Sequence, residues 1–133
     1  MEIWKTIKNS NYKISNMGNV LKPNNKLINF RTKNYRHFSY EDLNGILHSV
    51  FVHRIVALYF CNPPEGTGDN GTCEGYNVHH KNRIKYDNRA ENLVYLTIEE
   101  HNDIHSKLRK SEKTKKGPIK ELPLWKTAIL VNY

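Results

Sequence analysis

The chain has 133 residues, 38% apolar and 26% charged, enough for one domain with a modest core under a heavily charged surface. Its longest apolar run, Ile55 to Cys61, is far shorter than the roughly 20 residues that cross a bilayer, and the opening MEIWKTIKNS carries no secretory signal, so no membrane partner is expected. The formal net charge of +8 divides as +6 over residues 1–60, −4 over 61–106 and +6 over 107–133, a distribution suited to gripping a polyanion at both flanks, nucleic acid first among them.

Short β-segments are predicted first: Tyr12 and Ile14, Val20 and Leu21, Leu27 to Phe30, and Tyr35 to Tyr40, punctuated by Gly18 and by Pro23-Asn24-Asn25. Asn44-Gly45 predicts a two-residue type I′ turn that pairs Tyr35–Tyr40 with Ile46–Val52. From His53 the apolar period changes, and Ile55, Val56, Leu58, Tyr59 and Phe60 predict a two-turn helix that Asn62-Pro63-Pro64 stops. Glu65 to Gly75 reads as an exposed loop. It leads to a strand at Tyr76–His80, a polar loop from Lys81 to Asn92 and a second strand at Leu93–Leu96. Thr97-Ile98-Glu99-Glu100 has the form of a capping box, predicting a helix from there to about Arg109. Lys110 to Lys120 reads as a basic linker, and Glu121 to Tyr133 recovers apolar residues. Cys61 and Cys73 lack a CxxC partner, so reduced thiols in a cytosolic compartment are expected.

Seven histidines stand at 37, 48, 53, 79, 80, 101 and 105. Neighbours on a strand point to opposite faces, so His79 and His80 can share a site only where the strand ends or twists. The capped helix carries His101 in its first turn, within reach of that pair. Phosphodiester hydrolysis requires an activated water, charge stabilisation on phosphate oxygens and help for the leaving oxygen. A neutral imidazole can be the base, and a divalent ion held by the other histidines can meet the remaining needs. Packing or capping and a DNA contact are both open for His53, and His105 lies one turn beyond His101.

Val78-His79-His80, Asn92-Leu93, Thr97 and His101 together resemble the signature of the HNH endonucleases, with twelve residues from His80 to Asn92 and twenty-one from His80 to His101. The segment from Phe51 to Ala57 resembles the VHRLVA helix of the phage and intron-encoded subgroup. Trp4, Tyr12, Ile14-Ser15-Asn16, Gly18 and Val20 resemble an N-terminal module found in many of its homing endonucleases. The resemblance implies that His80 is the general base and that His79 and His101 bind metal. It implies that Asn92 braces the loop to aim His80, with Asn88 a second, structural loop asparagine. It also implies a cut leaving 5′-phosphate and 3′-hydroxyl ends. His79 and His101 stand where many relatives carry Asp or Asn, and imidazole favours Mn, Ni, Co or Zn over Mg more than a carboxylate does. The loop, usually Asp-Gly-Asn, here reads Asn82-Arg83-Ile84-Lys85-Tyr86.

The expectation is therefore an α+β protein: an N-terminal, DNA-contacting antiparallel β-region over 1–52, a ββα-metal nuclease unit over 53–109, and a basic linker and tail over 110–133. Its substrate is double-stranded DNA, nicked one strand at a time by a monomer or weak dimer. It requires one divalent ion, Mg or Mn, with Ni, Co or Zn as alternatives. Lys33, Arg36, Arg54, Lys107 and Arg109 are the DNA-contact candidates. A phage or mobile-element origin, with activity in bacterial cytoplasm, accompanies the resemblance. Two rival readings use the same residues: a DNA-binding scaffold without turnover, and a structural zinc site formed by His79, His101 and His105.

Overall fold

The computed structural model describes residues 1–104. His105, Lys107, Arg109, the far end of the capped helix and the basic tail lie outside the described residues. The first sheet is antiparallel, in the order β1 (Trp4–Thr6), β2 (Lys13–Ser15), β3 (Val20–Leu21). Its register sets Trp4 opposite Ser15 and Ile14 opposite Val20, and both Ile14 and Val20 are fully buried. β1 is a strand that the sequence does not predict, because its side chains are exposed or half-buried and give no alternating signal. The strand expected at Leu27–Phe30 does not form. Around the Pro23–Asn25 turn the chain makes one bridge, Leu21 to Leu27, with bonds from Lys22 N–H to the Lys26 carbonyl and from Ile28 N–H to the Val20 carbonyl. Ile28 and Phe30 then pack against the core.

β4 (His37–Glu41) and β5 (Leu47–Phe51) form the expected hairpin, with His37 opposite Phe51 and Glu41 opposite Leu47. Its turn differs from expectation. Gly45 alone takes a positive φ, of 80°, and Asp42 Oδ1 accepts from the amides of Asn44 and Ile46 at 2.8 and 2.9 Å. An aspartate that captures two amides closes a longer turn, so Asn44 is not required to enter the left-handed region.

α1 (Val52–Phe60) follows β5 with no residue between. It has no side-chain N-cap; Val52 N–H instead donates to the Arg36 carbonyl at 2.9 Å, carrying the hairpin ladder into the helix. Val52, His53, Ile55, Val56 and Ala57 are buried, and removing each large aliphatic side chain from water contributes roughly 1.5–3 kcal/mol. The helix ends at Cys61, after which Asn62 turns the chain with a φ of 50° ahead of the two prolines. In the loop that follows, Gly71 (φ 84°) lies flat on α1, where any Cβ would overlap the Arg54 carbonyl.

β6 (Tyr76–His80) and β7 (Leu93–Thr97) pair antiparallel, with His79 opposite Val94 and His80 opposite Leu93. The capping box forms: Thr97 N–H donates to Glu100 Oε1 at 2.9 Å and Glu100 N–H to Thr97 Oγ1 at 3.1 Å. A second helix, α2, occupies residues 98–104. Ile7, Ile14 and Val20 of the first region, Phe38, Tyr40 and Val50 of the hairpin, and Val52, Ile55, Val56 and Leu93 form one core. The fold is α+β. Among the described residues no helix is long and apolar enough to cross a membrane.

Candidate active site

β6 ends at His80, and the chain turns at once: Arg83 takes a φ of 64° and its N–H donates to the His80 carbonyl at 2.9 Å. That strand end lets two adjacent side chains serve one site. Both histidines are buried, and both line a cleft of about 280 Å³ together with Tyr35, Arg83, Lys85 and His101. The His79 and His101 rings face each other nearly perpendicularly, at 77°, with centroids 5.3 Å apart. The capping box thus places His101 against His79.

His80 is held from the other side. Its Nε2–H donates to Asn88 Oδ1 at 2.9 Å, which leaves the Nδ1 lone pair of the neutral ring as proton acceptor. Burial lowers the His80 pKa from the usual imidazole value, and the Asn88 bond and nearby Asp87 oppose that shift. Burial thus favours the neutral ring. Asn92 works on the loop. Its Nδ2 donates to Asn82 Oδ1 (3.0 Å) and to the Asp87 carbonyl (2.8 Å), and its Oδ1 accepts from Asn82 N–H (3.0 Å). The side chain bonded to His80 is Asn88. Lys81, next in sequence, is buried; its ammonium donates to the Glu91 carbonyl at 3.1 Å, and desolvation pushes its pKa down to about 8.

The first sheet supports this loop. Ala90 N–H donates to the Asn16 carbonyl at 2.8 Å. Gly18, at a φ of 84°, lies so near Asn88 that a Cβ at 18 would stand 2.9 Å from the Asn88 Cβ and 3.1 Å from its carbonyl oxygen. Only glycine meets both the backbone angle and that approach.

Among the DNA-contact candidates, Lys33 is exposed. Arg36 is half-buried, its guanidinium lying over the rings of Tyr86 and Phe30 and its Nε donating to the Thr32 carbonyl. Arg54 stands 5.2 Å from the Phe51 ring centre. His53 is a packed residue: it lies 5.0 Å from the His80 ring and 5.4 Å from Tyr35, and burial, with His80 and Arg54 nearby, takes its pKa down to about 3. Sequence reasoning missed Tyr35, Arg83 and Lys85 on the cleft and the bond from Asn88. Arg83 and Lys85 carried a signal, two cations in the loop that directly follows the histidines. Tyr35 carried none.

The donor set fits a divalent ion held at an open position. Two imidazoles stand side by side in a solvent-accessible cleft, and among the described residues no group of three His, Cys, Asp or Glu side chains could hold an ion. Water and substrate oxygens could fill the remaining positions of such an ion; His105, the third donor of the structural-zinc reading, lies outside the described residues.

A sequence profile described as HNH endonuclease matches residues 50–103, which span β5's end, α1, both site strands and α2. A solved structure, described as "DNA binding and cleavage by the HNH homing endonuclease I-HmuI", superposes with a TM-score of 0.62 at 28% identity over 86% of this chain. Residues 50–103 therefore match the HNH endonuclease family, and the chain resembles a solved HNH homing endonuclease in fold. It spans 62% of the length of the I-HmuI chain. No curated protein matches the sequence. The matched segment contains His79, His80, Asn88, Asn92 and His101, whereas Tyr35 and the Gly18 support lie upstream of it.

Proposed function

We propose that this protein is a divalent-metal-dependent endonuclease that nicks double-stranded DNA. The observation that carries the reading is the buried, neutral His80, fixed through Nε2 by Asn88 and set beside the His79–His101 pair in a cleft lined by Arg83 and Lys85. The His80 Nδ1 takes a proton from water as the water oxygen attacks the phosphorus. The P–O3′ bond breaks, leaving a 5′-phosphate on one fragment and, once the departing oxygen is protonated, a 3′-hydroxyl on the other. Arg83 and Lys85 offset the charge that gathers on the phosphate oxygens. His79 and His101 would hold the divalent ion, which supplies Lewis-acid stabilisation of that charge and of the leaving oxygen. With two imidazole donors the site should accept Mn, Ni, Co or Zn as well as Mg. One such site per chain makes a single-strand nick the elementary product.

Conversion of supercoiled plasmid to open circle, measured with each of these metals, tests the reading. Nicks that DNA ligase reseals establish the end chemistry, since the ligase requires a 5′-phosphate and a 3′-hydroxyl. His80→Ala should lower the rate at least about a hundredfold while DNA binding changes little. Absence of nicking with every metal would leave a DNA-binding scaffold instead.

A further inference from the structure

A second cleft, of about 290 Å³, opens beside the catalytic one and shares Tyr35 and His101 with it. Its other lining residues are Phe51, His53, Arg54 and Asn77. Tyr35 is 44% exposed and Phe51 37%, and their rings meet edge to face with centroids 6.4 Å apart. Large aromatic rings left half in water normally find cover in a folded chain; these two are left at the mouth of a cleft and attended by cations. Lys85 Nζ stands 5.2 Å from the Tyr35 ring centre and Arg54 the same distance from Phe51. His53 forms the buried part of the wall and, with its pKa near 3, adds no charge there.

We propose that this cleft is a nucleobase subsite, which receives the base of a nucleotide flanking the scissile phosphate after that base has left the duplex stack. The inference rests on the endonuclease reading for the position of the phosphate. The two clefts are contiguous, since Tyr35 and His101 border both, so a base in the second can belong to a nucleotide whose phosphate lies in the first. The cleft has room for about one nucleoside. Aromatic faces with neighbouring cations suit a flat, uncharged ring tethered to a polyanion. Within a duplex those ring faces are covered by neighbouring bases, so stacking on Tyr35 or Phe51 requires the base to swing out. Asn77 and the Arg54 guanidinium supply polar groups at the rim.

Photochemical crosslinking tests the subsite without requiring a known target. Random-sequence duplex DNA substituted with 5-iododeoxyuridine is bound to the full chain and irradiated, and the attached peptide is identified by mass. Crosslinks on Tyr35 or Phe51 that disappear in the Tyr35→Leu, Phe51→Leu double variant are expected. Crosslinks confined to other aromatics, such as Tyr76 or Tyr86, or a yield unchanged in the double variant, would overturn the subsite. Nicking by the same preparation is read separately. Nicking without these crosslinks removes the subsite and leaves the endonuclease, whereas these crosslinks without nicking do the reverse. In the nicking assay, Tyr35→Leu should raise KM about tenfold, the scale of a single base–aromatic stack, and Tyr35→Phe should restore it. Equal impairment in the Phe and Leu variants would contradict stacking.

Discussion

Asn88 illustrates how much of a buried histidine's behaviour is set by its neighbour. Because its side-chain Oδ1 accepts from the His80 Nε2–H, it fixes the tautomer and aims Nδ1. Asn88→Ala should reduce kcat by about ten- to a hundredfold, part of the full value of a general base, with KM nearly unchanged; a matching fall in DNA affinity would place Asn88 in the binding surface instead. His53 offers a different test. Its imidazole titrates near 6.5 in the unfolded chain and near 3 in the folded one. Between those values only the unfolded chain takes up the proton, so the stability tied to a neutral His53 is complete above pH 6.5 and declines as pH falls. From pH 7.5 to 5 the loss should be about 2 kcal/mol at about 1.4 kcal/mol per unit. Urea unfolding should show a shallower decline in His53→Leu; parallel curves would contradict the burial argument. The sequence made the histidine pair and its helical partner legible, because strand, loop and cap each have a local signature. It left the Asn88 bond and Tyr35 illegible, since one depends on how a twelve-residue loop folds back and the other arrives from 45 residues upstream.

Elements that pair locally were easier to read than elements placed by packing. The β4–β5 hairpin, the β6–β7 hairpin and the capping box followed from alternation, turn residues and a four-residue motif. Leu27–Phe30 had the composition of a strand but no partner edge long enough to hold it, since β3 has two residues. The support of the active-site loop by the first sheet was likewise invisible, because it consists of one carbonyl at Asn16 and a missing side chain at Gly18. Gly18→Ala should therefore act twice. It should cost about 1–3 kcal/mol of stability, from a strained φ and a forced contact, and it should lower kcat by displacing Asn88. If thermal unfolding shifts but kcat per folded molecule does not, the turn is a structural support only.

For the whole molecule, the charges separate by purpose: the described site region is acidic on balance, and the surplus of positive charge lies in the two flanks. Residues 107–133 carry eight Lys/Arg and two Asp/Glu. Deleting 110–133 should weaken DNA binding and reduce the slope of log affinity against log salt, by about 0.9 for each phosphate that the tail neutralises; an unchanged slope would remove the tail from the interface. The passage from β5 into α1 without an intervening residue has a further effect on cutting. α1 packs against β6, the strand that carries His79 and His80, and against its partner β7, so one helix joins the hairpin to the site. If the protein nicks DNA as proposed and the hairpin touches bases, the cut should fall at a constant offset from them, and the protein would measure along DNA by its own backbone.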